Sequence, residues 1–238
     1  SPVAKNMINT FFFNMNAIKS GQSRPGPSPG SGRTEKYKPQ KVGLIGAGMM
    51  GAGIAYAQAS RGIATVLKDV SLDKAEAGKA HSVKLTQPRV DQGKLSPHDQ
   101  KALLDRITPT ASAADLQGCD LIIEAVFENR ELKARVTQEA EPMLAPGGFF
   151  ASNTSTLPIS GLAMASAHPA QFVGIHFFSP VDKMKLVEII RGKTTDDATV
   201  ARAFDYVQAL GKIPIVVNDA RGFYTSRTFG TFVMEGAA

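Results

Sequence analysis

The chain has 238 residues, of which 43% are hydrophobic and 20% charged, with one cysteine and no tryptophan. This composition excludes a disordered protein, and no apolar run approaches the roughly 18 residues of a membrane span. The single Cys119 excludes an internal disulfide and a zinc site of paired cysteines, and it favours a reducing compartment. The net charge of +6 comes mainly from residues 1–40, which carry six basic residues and one acidic residue. Nucleic-acid binding and a metal site are therefore not expected.

Residues 1–38 form a leader that we expect to lie outside the folded body. Apolar residues at helical spacing predict an amphipathic helix over residues 3–19. This helix either docks on another domain of a longer polypeptide or is a mitochondrial transit peptide. Eleven of the thirteen residues in 20–32 are Ser, Gly or Pro, which predicts a flexible linker and poor order through about residue 38.

From Pro39 onward, short apolar stretches alternate with helical patterns. Repeated β-α-β units predict an α/β fold, a Rossmann-type, doubly wound and mostly parallel sheet over residues 39–219. The expected strands are 41–45, 64–68, 121–126, 148–152, 172–177, 185–190 and 213–217. The expected helices are 50–61, 72–93, 97–106, 130–144 and 196–210.

A glycine-rich turn follows the first predicted strand. Gly46, Gly48 and Gly51 have the spacing of a dinucleotide-binding loop, and a helix begins within the motif. Gly46 would make the tight turn, Gly48 would admit a pyrophosphate, and Gly51 would let the helix pack on the strand. Asp69 ends the second strand, where a carboxylate binds both hydroxyls of the adenine ribose and repels a 2′-phosphate. The pattern predicts NAD as the cofactor.

Two polar residues stand inside apolar, strand-like runs. His176 and Glu188 are twelve residues apart, which suits two neighbouring strands joined by a turn. An unpaired imidazole or carboxylate is costly to bury, so each would offset the other's cost. A carboxylate on one ring nitrogen leaves the other nitrogen free as a general base. A structural pair without a catalytic role is the alternative, and spacing alone does not decide between them.

Several segments together resemble a known family. The matching segments run in family order over residues 41–227 and read VGLIGAGMMGAGIA, LIIEAVFEN, FFASNTSTLPIS, GIHFFSPVDKMKLVEIIRG and RGFYTSR. They resemble the 3-hydroxyacyl-CoA dehydrogenase region of the multifunctional fatty-acid β-oxidation enzymes, of the α-subunit type. HFFSPVDKM followed by RGFYTSR is similar to this branch rather than to the short monofunctional enzymes.

The resemblance implies roles for individual residues. His176 would be the catalytic base, Glu188 its partner, and Ser155 a hydrogen-bond partner of the substrate oxygen. Ser179 and Ser226 stand where the monofunctional pattern has Asn, and we expect both to contact substrate. The remaining cofactor contacts expected from the family pattern are Met49, Met50, Ala125, Glu128, Lys133 and Asn153.

The resemblance also implies an activity and a context. The expected reaction is NAD-dependent oxidation of L-3-hydroxyacyl-CoA to 3-ketoacyl-CoA. Residues 220–238 would begin an all-α C-terminal domain, and the chain would be a fragment. We expect a homodimer through that domain, a possible thiolase partner, and a bacterial cytoplasmic or mitochondrial matrix location. The alternatives are an NAD-binding module without turnover and a β-hydroxyacid dehydrogenase with a catalytic lysine.

Overall fold

The computed structural model describes residues 1–26 and 36–237 of the chain. The strands in this part of the protein form a single sheet. They are β1 (Lys41–Ile45), β2 (Ala64–Lys68), β3 (Ile107–Thr110), β4 (Cys119–Glu124), β5 (Leu144–Ser152), β6 (Phe172–Phe177), β7 (Leu186–Arg191) and β8 (Ile213–Asn218). The strand order is β3-β2-β1-β4-β5-β6-β7-β8.

Helices flank this sheet on both faces, apart from the first and the last helix of the described residues, which bury no residue. The helices are α1 (Pro2–Met7), α2 (Met15–Ser20), α3 (Met49–Ala59), α4 (Leu72–Asp91), α5 (Pro97–Leu104), α6 (Arg130–Ala140), α7 (Ile159–Leu162), α8 (Asp197–Ala209) and α9 (Thr225–Ala237). A π-helical stretch, Ile8–Asn14, joins α1 to α2. Among the described residues, no helix has both the length and the apolar character needed to cross a membrane.

Strands β1 to β6 are parallel, and their order reverses between β1 and β4. This is the Rossmann arrangement, in which ligands bind at the carboxyl ends of the strands near the point of reversal. The central strands are buried on both faces, since Leu121 and Ile123 enter one hydrophobic cluster and Ile122 enters the other. The prediction of a doubly wound, mostly parallel sheet is confirmed.

The last two strands reverse direction. β7 is antiparallel to β6, and β8 is parallel to β7. In this pairing His176 stands directly opposite Glu188. The hairpin therefore keeps both residues at the carboxyl edge of the sheet, beside the ends of β4 and β5.

The boundaries of several elements differ from the predictions. Strand β3 was not predicted because its four residues, ITPT, include a proline and read as a turn. A proline is tolerated here because β3 is an edge strand. Helix α6 ends at Ala140 and not at residue 144 as predicted. A 3₁₀ turn follows it, and β5 already begins at Leu144. Helix α9 begins at Thr225, five residues into the segment 220–238 that was expected to begin a helical domain.

The leader forms a helix as predicted, but it also contacts the body. Arg24 pairs with the buried Asp205 of α8, with 2.7 Å between Nε and Oδ1. The Tyr37 N–H donates to the same carboxylate at 2.9 Å, and the Tyr37 hydroxyl donates to the Asp120 carbonyl at 3.1 Å. The expectation of poor order through about residue 38 stays a prediction, while in the structure the Asp205 carboxylate contacts both Arg24 and Tyr37. Residues 27–35 of the predicted linker lie outside the described residues.

Candidate active site

The glycine-rich loop joins β1 to α3 at the point of strand reversal. Gly46 has a φ of +95°, as the tight turn requires. A Cβ at Gly51 would lie 1.7 Å from the Gly46 carbonyl oxygen, so only glycine permits this close packing of helix on strand. A Cβ at Gly48 would instead meet no atom within 4 Å. The backbone at Gly48 therefore faces open space beside the N-terminus of α3, where a pyrophosphate fits.

Asp69 follows β2 and contacts the glycine loop. Its Oδ2 accepts a hydrogen bond from the Ala47 N–H at 2.7 Å, and its Oδ1 accepts one from the Val70 N–H at 2.7 Å. The side chain is partly exposed, and each carboxylate oxygen retains a further lone pair. Asp69 therefore both fixes the loop and has acceptors left for ribose hydroxyls.

A cavity of about 280 Å³ opens at the carboxyl ends of β4, β5 and β6. We refer to it as the main cavity. Eight of the residues predicted for the site line it, namely Met50, Ala125, Glu128, Lys133, Asn153, Ser155, His176 and Ser179. Val126, Phe177 and Phe178 complete its lining. The structure thus brings together residues from four separate segments of the chain.

His176 and Glu188 form a direct hydrogen bond across the hairpin. His176 Nδ1 lies 2.8 Å from Glu188 Oε2, and Glu188 is completely buried. The imidazole ring packs on Phe178, with 4.5 Å between ring centroids. Because Nδ1 is bonded to Glu188, Nε2 is the nitrogen left for the main cavity. Burial raises the pKa of Glu188, but hydrogen bonds from His176 and Thr225 outweigh it and the pKa lies below its usual value.

Glu128 organises the loop that follows β5. It accepts hydrogen bonds from the Ser155 N–H at 2.7 Å, the Ser155 hydroxyl at 3.1 Å and the Thr154 hydroxyl at 2.9 Å. Burial raises the pKa of Glu128, yet the bond from Ser155 and the nearby Lys133 ammonium together lower it below its usual value. Glu128 is therefore ionised and holds Ser155 at the cavity wall.

Lys133 is buried behind Glu128 rather than free at the cavity. Its Nζ lies 2.9 Å from Glu124 Oε2, 3.0 Å from Glu124 Oε1 and 3.2 Å from the Val126 carbonyl oxygen. It also pairs with Glu128 at 3.3 Å. Three donors serve these acceptors, so the ammonium group is fully used by the protein. Its present contacts are structural, although the residue lines the main cavity.

The remaining predicted residues lie around this centre. Asn153 accepts a hydrogen bond from the Phe177 N–H at 2.9 Å and so ties β5 to β6. The Ser179 hydroxyl donates to Met49 Sδ at 3.6 Å, and Met49 is largely exposed on the glycine loop. Ser226 is exposed at the start of α9 and is not among the residues that line the main cavity. The expectation that Ser226 contacts substrate stays a prediction.

Two residues next to the cavity, Glu124 and Thr225, were not among the predicted site residues. Glu124 ends β4 and is completely buried, where it accepts hydrogen bonds from Lys133, the Ser152 hydroxyl and the Val126 N–H. Thr225 donates to Glu188 from the first residue of α9. A signal for Glu124 was available, because an acid at the end of the apolar run LIIE needs a buried partner.

The main cavity therefore joins a dinucleotide-type loop to a histidine–carboxylate pair. Residues 41–220 match the family model described as 3-hydroxyacyl-CoA dehydrogenase, NAD binding domain. The chain belongs to this family. Its match covers the whole sheet, from β1 to the residues after β8.

Solved structures of this family are similar to the chain. (S)-3-hydroxybutyryl-CoA dehydrogenase from Ralstonia eutropha is 35% identical with a TM-score of 0.79, over 84% of this chain and 74% of that one. 3-Hydroxybutyryl-CoA dehydrogenase from Escherichia coli is 31% identical with a TM-score of 0.76, over 79% of this chain and 40% of that one. The dehydrogenase part of multifunctional enzyme 1 from C. elegans is 26% identical with a TM-score of 0.71, over 88% of this chain and 49% of that one.

NAD is the cofactor of this family, and the residues present fit it. The open backbone at Gly48 forms a cradle that a Cβ would fill, and the N-terminus of α3 supplies N–H groups for the phosphates. Asp69 supplies acceptors for the ribose without a basic side chain for a 2′-phosphate in the next position, which is Val70. His176 lines the main cavity together with Met50 of α3.

Proposed function

We propose that this 3-hydroxyacyl-CoA dehydrogenase oxidises the C3 hydroxyl of an L-3-hydroxyacyl-CoA to a ketone. The observation that carries the proposal is the 2.8 Å bond between His176 Nδ1 and Glu188 Oε2, which leaves Nε2 for the main cavity. When bound, NAD supplies the hydride acceptor. That the 238-residue chain turns over substrate by itself is also part of the proposal.

The chain's own residues move the proton. His176 Nε2 takes the hydroxyl proton as the C3–H bond breaks, and Glu188 stabilises the imidazolium that forms. Because the pKa of Glu188 is lowered, the carboxylate is ionised at neutral pH and can do this. General-base catalysis of this kind typically contributes about 10²–10⁴-fold. Positioning in the cavity must supply the rest of the acceleration.

Ser155 has a more restricted role than its side chain alone suggests. Its hydroxyl donates to Glu128 at 3.1 Å, so it must exchange this bond to donate to the substrate oxygen. Glu128 would retain the Ser155 N–H and the Thr154 hydroxyl after the exchange. The loop can therefore stay in place while Ser155 Oγ turns to the developing ketone.

The two alternatives make different demands on the site. A β-hydroxyacid dehydrogenase needs a free lysine, whereas the ammonium group of Lys133 is used by Glu124 and Val126. An NAD-binding module without turnover would not need Glu188 to be ionised beside His176. The buried histidine–carboxylate pair therefore favours the dehydrogenase.

The test is turnover of acetoacetyl-CoA with NADH, followed by loss of the NADH absorbance. We expect slow but measurable turnover, and His176→Asn should reduce it by about 10²–10⁴-fold while NADH still binds. His98→Asn is the matched control, because the His98 side chain is 90% exposed. NADH binding without turnover in the unchanged chain would support the NAD-binding module. Normal turnover in His176→Asn would refute the assignment of His176 as the general base.

We further propose a role in fatty-acid β-oxidation within a longer multifunctional enzyme, in the bacterial cytoplasm or the mitochondrial matrix. The resemblance of HFFSPVDKM and RGFYTSR to that branch supports this. Exposed apolar side chains on α9, Phe229, Phe232 and Met234, support packing against a further helical domain and homodimerisation through it. A thiolase subunit is the proposed partner of the whole enzyme.

An antibody raised against the chain tests the multifunctional context. In extracts of the source organism, it should detect a polypeptide much larger than 25.3 kDa, and co-precipitate thiolase activity. A single band near 25.3 kDa without thiolase activity would contradict both proposals.

A further inference from the structure

Within the described part of the chain, the carboxylate of Glu188 has three donors besides His176, and all three come from the segment that follows β8. The Thr225 hydroxyl donates to Oε2 at 2.8 Å, and Oε2 is also the oxygen that His176 Nδ1 contacts. The N–H groups of Thr225 and Tyr224 donate to Oε1 at 2.8 and 3.1 Å. The start of α9 therefore binds the same carboxylate as the imidazole.

Asp219 and Phe223 anchor the segment that precedes Thr225. The Asp219 carboxylate accepts the N–H groups of Ile159 and Ser160 at 2.9 and 2.7 Å. Phe223 is buried, and its backbone adopts the left-handed conformation with a φ of +50°. Its ring centroid lies 6.0 Å from that of His176. These anchors leave Tyr224 and Thr225 little freedom to move away from Glu188.

The hydroxyl of Thr225 is well placed to fix the direction of the carboxylate. Two backbone N–H groups hold Oε1, whereas only Thr225 and His176 among the described residues are hydrogen-bonded to Oε2. Without the Thr225 hydroxyl, the carboxylate can pivot on the hydrogen bonds to Oε1, and Oε2 can move out of hydrogen-bonding alignment with His176 Nδ1. A valine at this position keeps the shape of the side chain and removes the donor.

We propose that Thr225 is a positioning residue for the proton transfer, because its hydroxyl holds Oε2 of Glu188 against Nδ1 of His176. This inference rests on the proposed function for its kinetic consequence. Thr225 lies beyond residue 220, where the match to the NAD-binding domain ends. The catalytic pair is thus completed by the helix that follows that domain.

Steady-state kinetics of the full chain test the role of the hydroxyl. Thr225→Val should lower kcat about tenfold, the value of a hydrogen bond to a charged group, with KM for NADH within about twofold. Thr225→Ser should restore most of kcat, since it keeps the donor. Thr231→Val is the matched control, because the exposed Thr231 hydroxyl bonds the Arg227 carbonyl one turn further along α9.

A double variant shows whether Thr225 acts through Glu188. If it does, Thr225→Val should have little further effect in a Glu188→Gln background, since the carboxylate to be held is gone. A tenfold loss in both backgrounds would overturn the proposal, as would unchanged kcat in the single variant. Far-UV circular dichroism checks folding, and Thr225→Ala is a second variant without the hydroxyl.

Proton NMR gives a readout that does not need turnover. The Nδ1–H resonance of His176, assigned by its absence in His176→Asn, reports the bond to Glu188. It should shift or broaden in Thr225→Val and stay unchanged in Thr225→Ser and Thr231→Val. If the unchanged chain shows no turnover, the proposed function fails and this resonance still decides the inference. An unchanged resonance in both Thr225→Val and Thr225→Ala would overturn it.

Discussion

Lys133→Met is the substitution whose effect on stability the structure defines best. Lys133 and Glu124 are both buried, at 2% and 0% exposure, and their charged groups are 2.9 Å apart. Methionine fills a similar volume but, among the residues that the structure describes, leaves the Glu124 carboxylate with only the Ser152 hydroxyl and the Val126 N–H as donors. Breaking a buried ion pair by removing one partner typically costs about 3–5 kcal/mol. For a chain of this size that corresponds to a fall in Tm of roughly 6–20 °C.

The loss should depend on pH. Burial raises the pKa of Glu124, and the Lys133 ammonium and the Ser152 hydroxyl oppose it, so removing Lys133 raises the pKa further. A carboxyl whose folded pKa is raised favours the folded state while it is protonated. That contribution is complete below the unfolded value of about 4.3 and is lost as pH rises through the folded value. Lys133→Met should therefore lose more stability at pH 8 than at pH 5.

Urea unfolding followed by far-UV circular dichroism measures both effects, since the chain has no tryptophan. Glu124→Gln in the Lys133→Met background should recover part of the loss, because it removes the unpaired charge. Lys101→Met is the matched control: its partner Asp105 is exposed, and the urea midpoint should not change. Equal losses at pH 5 and pH 8, or no recovery in the double variant, would refute the buried-charge argument.

Three further predictions follow from the cofactor site and the core. Asp69→Ala should weaken NAD binding about tenfold more than NADP binding by calorimetry, and equal losses would remove Asp69 from the ribose site. Gly48→Ala should weaken NAD binding at unchanged Tm, whereas Gly51→Ala should lower both NAD affinity and Tm, because only the Cβ at Gly51 meets the loop itself. A fall in Tm for Gly48→Ala would contradict this. Burial raises the pKa of the Cys119 thiol to about 11, so alkylation at pH 8 should be slow until urea unfolds the protein. Rapid alkylation of the folded chain would show that the thiol is accessible.

Local patterns were sufficient to predict most of the sheet. Strands β1 and β2 are short and mostly apolar, β1 leads into the glycine-rich loop and β2 follows Gly62, so their type and order follow from neighbouring residues. The contacts of the leader could not be predicted in this way. Arg24 stands in a Ser/Gly/Pro-rich stretch, and its partner Asp205 lies 181 residues further along the chain.

The same division holds for the site. The glycines and Asp69 were predicted from their spacing along the chain. His176 and Glu188 were predicted because a polar residue in an apolar run needs a partner. Lys133 was expected at the cofactor, yet its ammonium group is used by Glu124, nine residues earlier on β4. Thr225 gave no signal, because its function depends on where the turn at Phe223 places it.

The antiparallel hairpin explains why this sheet can hold the proposed catalytic pair at its edge. In a parallel sheet, the next strand would return only after a crossover of a dozen or more residues. Here only the eight residues between Phe177 and Leu186 connect the two strands, and His176 and Glu188 lie directly opposite each other in the ladder. A shift of one residue in this register would move Glu188 to the other face of the sheet, away from both His176 and Thr225. The reversal at β7, the fixed register and the turn before α9 therefore act together, since each places one donor or acceptor of the same buried carboxylate.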